Sequence, residues 1–163
     1  MNIDIQSASF EDKSILRNLL ELYEYDSTEF EPHDVDAHGL FGYRWLDHYW
    51  TEAGRYPFIV RIEGQLAGLV LVRTLDESET GNTYSMAEFF ILRNYRRQGV
   101  GQFVAQRIFD KFPGQWSVAQ VENNRVAQAF WRKVIFEYTQ GNFEEIRSNN
   151  EEWKGPIQTF RTK

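Results

Sequence analysis

Two glycines, separated by one residue and preceded by closely spaced arginines, form the stretch of this sequence that most clearly favours ligand chemistry. The stretch is Arg96-Arg97-Gln98-Gly99-Val100-Gly101, and it lies between an apolar run ending at Leu92 and a segment of helical period starting at Val100. Because glycine has no Cβ, the backbone can turn tightly and bring several N–H groups close to one bound group. The first N–H groups of a helix lack intrahelical acceptors and lie at the positive end of its dipole. The pattern therefore predicts an anion site.

Positive charge is concentrated just before these glycines. Arg93, Arg96 and Arg97 fall within five residues of a chain whose formal net charge is −6. This local reversal of sign supports an anionic ligand at the turn.

Two nucleotide-binding motifs and a turn without a ligand are the alternatives to a simple anion site at this turn. A nucleotide-hydrolase phosphate loop needs Lys and then Ser or Thr after its second glycine, but Gln102 and Phe103 stand there. A dinucleotide fingerprint needs a third glycine, where Val104 stands, and an acid about 20 residues further on, where Glu122 is acceptable. That fingerprint normally opens its domain, so it is only weakly favoured. A strand-to-helix turn without any ligand remains open.

The pattern Arg96-x-x-Gly99-x-Gly101 resembles the pyrophosphate-binding turn of the GNAT superfamily of N-acetyltransferases. A second match follows at Asn124-x-x-Ala127-x-x-Phe130-Trp131, continued by Lys133 and Phe136. The two matches have the order and about the spacing of that family, and together they cover roughly residues 87 to 137. Two matches in order are far more specific than either alone.

The resemblance implies a fold, a domain and a co-substrate. The implied fold is α+β, a three-layer α/β/α arrangement with a central mixed, mostly antiparallel, twisted sheet of about seven strands and four helices. Residues 1–163 would form a single N-acetyltransferase domain whose acetyl-CoA-binding core is about 87–137. Acetyl-CoA would be the co-substrate. By their positions in the motifs, the residues implied to contact it are Phe89, Phe90, Ile91, Arg96, Arg97, Gln98, Gly99, Val100, Gly101, Gln102, Asn124 and Phe130.

The implied reaction moves an acetyl group from acetyl-CoA to a primary amine by direct attack of the amine on the thioester. In the family, a bulge in the strand before the turn frees backbone groups that bind the pantetheine arm and the carbonyl, here at Phe89 to Ile91. Glu88 matches a strand carboxylate that many members use as the base. Its apolar neighbours, Ala87 and Phe89, should desolvate it and raise its pKa. A purely structural carboxylate is the alternative.

One position departs from the family. Trp131 stands where a tyrosine often serves as the general acid, and an indole N–H cannot protonate a thiolate under ordinary conditions. Tyr95 and Tyr138 are nearby in sequence, and coenzyme A can also leave as a thiolate that water protonates. A non-catalytic acyl-CoA-binding or sensor protein of the same fold is therefore the alternative function.

Composition limits the class of protein. The chain has 163 residues, 42% of them hydrophobic and 26% charged, as expected of one globular domain, and it contains no cysteine. No apolar segment approaches the ~20 residues needed to cross a bilayer, so we expect a cytoplasmic protein without membrane contact. The acidic balance argues against nucleic-acid binding. His33 and His38, with Asp34 and Asp36, match no standard metal spacing, so we expect no metal.

The amine acceptor is the least readable part of the sequence. Seven carboxylates occur between Glu21 and Asp36 without a lysine or arginine. They form either an ordinary solvated surface or a region that attracts a cationic amine towards a cleft. The aromatic-rich segment 40–56 is mostly core by its pattern, but it could also line a substrate pocket. The acceptor would be a small-molecule or protein amine, and a homodimer stays open because many relatives form dimers.

Periodicity predicts the elements that carry these residues. The expected order is strand, two helices, three strands, helix, strand, helix and two strands. Glu63-Gly64-Gln65 should form a hairpin turn, and Asn123 or Asn124 should cap the last helix. The predicted elements are a strand at 3–8; helices at 10–25 and within 40–56; strands at 58–62, 66–73 and 84–92; a loop at 76–82; a helix at 100–112; a strand at 116–121; a helix after 124; and strands near 136–140 and 156–162, joined by a polar loop that contains Asn149 and Asn150.

Overall fold

The computed structural model describes residues 1–162, and its elements follow the predicted order. Two 3-10 turns, Phe10–Asp12 and Arg93–Tyr95, precede α1 and the glycine turn. No helix within residues 1–162 combines the length and the apolar character needed to cross a bilayer. The strands and helices are β1 (Ile3–Ser7), α1 (Lys13–Ser27), α2 (His48–Thr51), β2 (Arg55–Ile62), β3 (Gln65–Ser78), β4 (Gly81–Ile91), α3 (Val100–Lys111), β5 (Gln115–Ala119), α4 (Arg125–Thr139), β6 (Glu144–Asn149) and β7 (Lys154–Arg161).

The strands form one sheet in the order β1-β2-β3-β4-β5-β7-β6. β4 and β5 run parallel, with Tyr84 opposite Trp116. The pairs β1–β2, β5–β7 and β6–β7 are antiparallel. The prediction of an α+β fold with a mixed, mostly antiparallel sheet of seven strands and four helices is confirmed.

The chain forms two compact units, which we describe separately. The first contains residues 1–71 and 88–95, and the second contains residues 72–87 and those from 96 onwards. The expectation of one acetyltransferase domain over residues 1–163 stays a prediction.

The core of the first unit joins the apolar stripe of α1 to the middle of the sheet. Leu16, Leu19 and Leu20 recur at helical spacing and are buried. The β3 segment from Ala67 to Leu71 has no accessible surface at Ala67 or from Leu69 onwards. Both faces of this segment are covered, as its continuous apolar pattern predicts.

The core of the second unit is centred on Phe109 of α3. Its ring lies 5.0 Å from the Trp116 ring, 5.1 Å from the Tyr138 ring and 4.9 Å from the Phe160 ring, centroid to centroid. Rings at these distances gain edge-to-face attraction in addition to the area they bury. This cluster joins α3, β5, α4 and β7, and so fixes the helix that follows the glycine turn.

The predicted second helix is mostly wrong. Only His48–Thr51 is helical within residues 40–56. Gly42 has a φ of +72°, which an α-helix does not accommodate. The backbone N–H groups of Phe41 and Gly42 donate instead to the Glu21 carboxylate, at 2.8 and 2.7 Å. A side chain on α1 therefore takes the hydrogen bonds that a helix would have used.

Two predictions of irregular structure differ from the structure, one entirely and one in part. The polar stretch 76–82 is the tip of the β3–β4 hairpin rather than a loop, because β3 continues to Ser78 and β4 begins at Gly81. Main-chain pairing in an exposed hairpin does not require apolar side chains. The predicted polar loop around Asn149 and Asn150 begins only at Asn150, because the polar residues before it, up to Asn149, form β6.

The predicted strand at 136–140 is also wrong, because α4 continues to Thr139. Ile135 is fully buried within the helix. The helix ends instead where Gln140 adopts a left-handed φ of +56°, the usual conformation of a helix C-terminus. Val126, in the first turn of this helix, is 70% exposed.

Asn124 caps α4 as predicted, and this contact can be tested. Its Oδ1 accepts a hydrogen bond from the Ala127 N–H at 2.9 Å. We expect Asn124→Ala to lower the free energy of unfolding by about 1 kcal/mol, because a helix N–H group loses its acceptor. Urea unfolding measures this effect. Asn124→Asp should restore most of the loss and Asn123→Ala should cost less than Asn124→Ala; equal losses at the two positions would contradict the capping role.

Candidate active site

Glu88 lies on β4 in the first unit, in a half-buried position. Burial raises the pKa of its carboxyl group to about 7, since a charged carboxylate loses solvation there. A hydrogen bond from the Tyr23 hydroxyl lowers this pKa, and the nearby negative charge of Glu24 raises it. The raised pKa predicted from the apolar neighbours is confirmed. At neutral pH, this carboxyl group can therefore both accept and release a proton.

Two tyrosines of the first unit are close to Glu88. Tyr23 comes from α1, and Tyr43 comes from the connection between α1 and α2. Burial raises the pKa of both phenols well above its ordinary value, and the Glu88 charge adds to the effect. The neighbouring Tyr49 side chain also raises the pKa of Tyr43. Both phenols therefore stay protonated around neutral pH.

Sequence reasoning missed Tyr23 and Tyr43. Tyr23 continues the helical spacing of the apolar residues of α1, a pattern that predicts core packing. Tyr43 lies in the segment 40–56, where most of the predicted helix does not form. The available signal was the aromatic richness of the segment 40–56, which could line a pocket. Nothing in that pattern specifies which ring lies beside Glu88.

The end of β4 departs from regular pleating at Phe90. A Cβ placed on Gly68 of β3 would lie only 2.1 Å from the Phe90 carbonyl oxygen and 3.2 Å from the Ile91 Cα. Because a Cβ points out of the sheet, that oxygen is tilted out of the hydrogen-bonding plane and over Gly68. Phe90 and Ile91 are also both buried, which breaks the alternation along the strand. These features fit the expected irregularity at 89–91, and the bulge itself stays a prediction.

The glycine turn lies in the second unit and opens α3. Gly99 has a φ of +81°, and its carbonyl accepts the first helical hydrogen bond, from the Phe103 N–H at 3.1 Å. A Cβ on Gly99 would meet nothing within 4 Å, so the fold requires glycine for its φ and not for space. Arg97 also has a positive φ, +62°. The predicted turn and the helix start at Val100 are confirmed.

The charged and polar side chains predicted around the turn have different surroundings. Arg96, Arg97 and Gln98 are exposed. Arg93 belongs to the first unit, where its guanidinium donates to Asp26 at 2.7 and 2.9 Å, so its charge is balanced locally. The Gln102 side chain donates to the Glu137 carboxylate. Of the three arginines predicted to surround the turn, Arg96 and Arg97 are therefore the two that remain exposed next to it in sequence.

Asn124 and Phe130, the predicted cofactor residues of α4, also have structural contacts. The Asn124 side-chain oxygen caps the helix. The half-buried Phe130 ring lies 5.0 Å from the Trp131 ring, edge to face. Any ligand contact by these side chains has to coexist with their contacts within the fold.

The general-acid position offers no phenol. Trp131 is buried, with its ring 6.3 Å from the Phe109 ring in the core of the second unit. The Tyr138 hydroxyl donates to Asp110 Oδ1 at 2.7 Å, and burial together with this bond raises the pKa of the phenol. Tyr95, on the turn before Arg96, is half-buried. The proton of Tyr138 is thus held by a carboxylate on α3.

An acidic groove of about 750 Å³ opens in the first unit. It is lined by Glu21, His33, Asp34 and the rings of Tyr25 and Phe41, among others. Since Glu21 holds two backbone N–H groups, not every carboxylate of the acidic run is available to a ligand. No group of three or more His, Asp or Glu side chains in the described part of the chain is arranged to hold a metal ion.

Glu24 connects this groove to Glu88. Its Oε2 lies 3.1 Å from His33 Nε2 at the groove, and its charge raises the pKa of Glu88. A backbone hydrogen bond to Glu31 and the one to Glu24 raise the pKa of His33. A cation in the groove would therefore approach a negative region beside the candidate base.

A comparison with sequence models of protein families matches residues 16–135 to one described as the acetyltransferase (GNAT) family. A search of curated protein sequences finds no match.

Solved structures with similar folds are numerous, and three illustrate the range. An acetyltransferase from Thermus thermophilus has a TM-score of 0.71 and 13% identity, covering 99% of this chain and 97% of that one. The ribosomal-protein-S18-alanine N-acetyltransferase from Escherichia coli has a TM-score of 0.63 and 13% identity, and the match covers 98% of this chain and 94% of that one. Spermidine N-acetyltransferase from Vibrio cholerae, in complex with CoA and spermine, has a TM-score of 0.61 and 14% identity, and the match covers 98% of this chain and 95% of that one. At these identities, the likeness establishes the fold.

Gly68 provides a test of the backbone geometry at Phe90. We expect Gly68→Ala to lower the free energy of unfolding by about 1–3 kcal/mol, because the new Cβ overlaps a carbonyl that has to move. Amide resonances of residues 89–92 should shift in the same variant. Gly64→Ala is the control, since its Cβ meets nothing and only its φ of +80° is unfavourable. If Gly68→Ala left stability and these resonances unchanged, the tilted carbonyl would be wrong.

Proposed function

Since the chain belongs to the GNAT family of acetyltransferases, we propose that it transfers an acetyl group from acetyl-CoA to a primary amine by direct attack on the thioester. The observation that carries this proposal is the half-buried carboxyl group of Glu88, with a pKa of about 7. Amine substrates arrive mostly as ammonium ions, since alkylamines resemble lysine, with a pKa near 10.4. A base that is half ionised at neutral pH suits the removal of that proton.

The proposed reaction balances as follows. Glu88 takes a proton from the ammonium group, directly or through one water molecule, and the free amine attacks the thioester carbon. A C–N bond forms and the C–S bond breaks, the attacking nitrogen gives its second proton to water, and coenzyme A leaves as a thiolate that takes a proton from water. The proton on Glu88 then returns to solvent. Backbone N–H groups at 89–91 would stabilise the carbonyl oxygen as it gains charge. The tilted Phe90 carbonyl supports the view that β4 is not a regular strand at this point.

For the diphosphate of acetyl-CoA we propose the turn from Arg96 to Gln102. The N–H groups after Gly99 lie in the first turn of α3, where intrahelical acceptors are lacking. The open space in front of Gly99 leaves room for an anion. Arg96 and Arg97 would contribute charge. Asn124 and Phe130 are proposed as further contacts along α4.

For the acceptor we propose a cationic amine, on a small molecule or a protein, that enters by the acidic groove. Relatives of both kinds share the fold: the E. coli protein is named for a ribosomal protein, and the V. cholerae protein was solved with spermine. Glu24 supports this path, because it borders His33 of the groove and influences Glu88. The seven carboxylates between Glu21 and Asp36 would attract such a cation.

A second candidate function is a non-catalytic acyl-CoA sensor. The observation that favours it is Trp131, which stands buried at the position of the usual catalytic tyrosine. A sensor would bind coenzyme A and release no thiol with any amine. The two functions differ at Glu88, which only the enzyme requires.

Glu88→Gln tests the catalytic role. We expect kcat with a responsive amine to fall at least ~100-fold, because a general base contributes about 10²–10⁴. Coenzyme A affinity should stay within about twofold by calorimetry. Glu79→Gln, an exposed glutamate on the β3–β4 hairpin, is the matched control. Thiol release that persists unchanged in Glu88→Gln would remove Glu88 from the mechanism, and silence of the parent protein across polyamines, amino acids and peptide N-termini would favour the sensor.

The pH profile gives a separate prediction. In the parent enzyme, kcat/KM should rise with pH and bend near pH 7, because the base form of Glu88 accumulates through its pKa of about 7. Above the pKa of the amine, near 10.4, kcat/KM of the parent should fall, because the ammonium form that Glu88 deprotonates is lost. Glu88→Gln should lose the bend near pH 7 and instead gain activity towards pH 10, where the amine is already free. A neutral bend that survives in the variant would belong to another group.

The glycine turn is tested by placing charge in front of it. Gly99→Glu should abolish measurable heat of coenzyme A binding, because a carboxylate would face the diphosphate. Gly99→Ala is the matched control, since it carries the same unfavourable φ of +81° without the charge. We expect the alanine variant to retain binding within about tenfold, the effect of ~1–2 kcal/mol of backbone strain. Unchanged affinity in Gly99→Glu would exclude this turn as the diphosphate site.

A further inference from the structure

Tyr23 makes two contacts with the end of β4 that the family motifs do not include. Its hydroxyl donates a hydrogen bond to the Glu88 carboxylate. Its ring lies 5.4 Å from the Phe90 ring, centroid to centroid, at an angle of 57°. All three residues belong to the first unit.

The geometry of strand and helix explains how one tyrosine reaches both residues. Glu88 and Phe90 lie two residues apart on β4, and Tyr23 of α1 contacts both of them. On the helix, Tyr23 continues the buried stripe of Leu16, Leu19 and Leu20, at three and four residues from the last two. The stripe fixes the helix, and the Phe90 contact fixes the ring. The hydroxyl therefore has little freedom to leave the carboxylate.

We propose that Tyr23 is a positioning residue for Glu88, whose carboxylate its hydroxyl holds in one orientation and in the ionised form. The proposal rests on the proposed function, because it assigns Tyr23 a role through the base. Tyr23 is not itself the proton acceptor. Its contribution is to keep one carboxylate oxygen engaged, so that the other is presented for the proton.

The groups that face Glu88 act in opposite directions. The Tyr23 hydrogen bond lowers the pKa of Glu88, and the Glu24 charge, on the next residue of α1, raises it. Tyr43, from the connection after α1, is neutral around pH 7, and the Glu88 charge raises the pKa of its phenol. The β3 segment of this unit, Gln65 to Leu71, carries no ionisable side chain. Substitutions at Tyr23 and Glu24, which are neighbours on α1, should therefore shift the pKa of Glu88 in opposite directions.

Tyr23→Phe removes the hydroxyl and keeps the ring against Phe90. Without the donor, the ionised form loses stabilisation, so the pKa of Glu88 should rise by about one pH unit. Glu24→Gln removes a like charge, so the same pKa should fall. For the titration alone, Tyr25→Phe is the matched control, since Tyr25 lies on the same helix and is 67% exposed; its ring lines the acidic groove, so it is not used as a control for turnover. It should leave the pKa of Glu88 unchanged.

The first readout does not depend on turnover. Glutamate carboxyl carbons are labelled with ¹³C, and the Glu88 signal is identified by its absence in Glu88→Gln. The NMR titration should show a midpoint near pH 7 in the parent protein, a higher one in Tyr23→Phe and a lower one in Glu24→Gln. An unchanged midpoint in Tyr23→Phe, with an unchanged melting temperature, would overturn the inference even if the protein proves to be an active acetyltransferase.

The second readout separates positioning in the ionised form from a general structural role. If the pKa rises by one pH unit, kcat/KM of Tyr23→Phe should be about tenfold lower than that of the parent at pH 6, and the two should converge by pH 9. A merely structural loss would lower the rate equally at all pH values, which would count against the proposal. If no amine is acetylated, the proposed function fails, but the NMR midpoints still decide whether Tyr23 holds Glu88.

Discussion

Glu88 places a carboxyl group where water is scarce, and the surrounding residues of the first unit control its ionisation. Burial disfavours the charged form, a hydroxyl on α1 stabilises it, and a second carboxylate on α1 opposes it. The resulting pKa of about 7 reflects these competing influences. Burial and one direct contact have the largest influence, so the Tyr23 hydroxyl and the Glu24 charge are expected to adjust the pKa of Glu88 in opposite directions.

A different constraint governs the glycine turn and the end of β4, where the backbone itself carries the proposed function. Gly99 is required for its φ, and Gly68 for its missing Cβ. One permits the start of α3 to present N–H groups, and the other permits the Phe90 carbonyl to leave the plane of the sheet. The same residue type thus serves two physical purposes. Only the first can be read from sequence, because a motif surrounds Gly99, whereas Gly68 stands in an ordinary apolar strand.

The features that were predicted correctly from the sequence are those that depend on residues close together along the chain. The element order, the turn at Gly99, the Asn124 cap and the buried β3 segment all follow from period, spacing or local hydrogen bonding. Prediction from sequence failed where distant residues take over backbone bonds, as Glu21 does at Phe41 and Gly42. It also failed where polar strands pair without an apolar pattern, as in β6. At the candidate site, Glu88 was proposed from its match to a family position, and its apolar neighbours predicted its raised pKa. Tyr23 and Tyr43 could not be predicted, since their relation to Glu88 depends on packing across elements.

The absence of a tyrosine at position 131 is coherent with the rest of the site. Tyr23 and Tyr43 of the first unit and Tyr138 of the second all have raised pKa values, because burial and nearby carboxylates disfavour phenolate. They are weaker acids than free tyrosine, and so are poor donors to a leaving thiolate. A thiol with a pKa near 8.5 is, however, a fair leaving group without help, whereas an ammonium ion with a pKa near 10.4 cannot attack until it loses its proton. Assistance is needed most on the amine side, and that is where Glu88 would supply it.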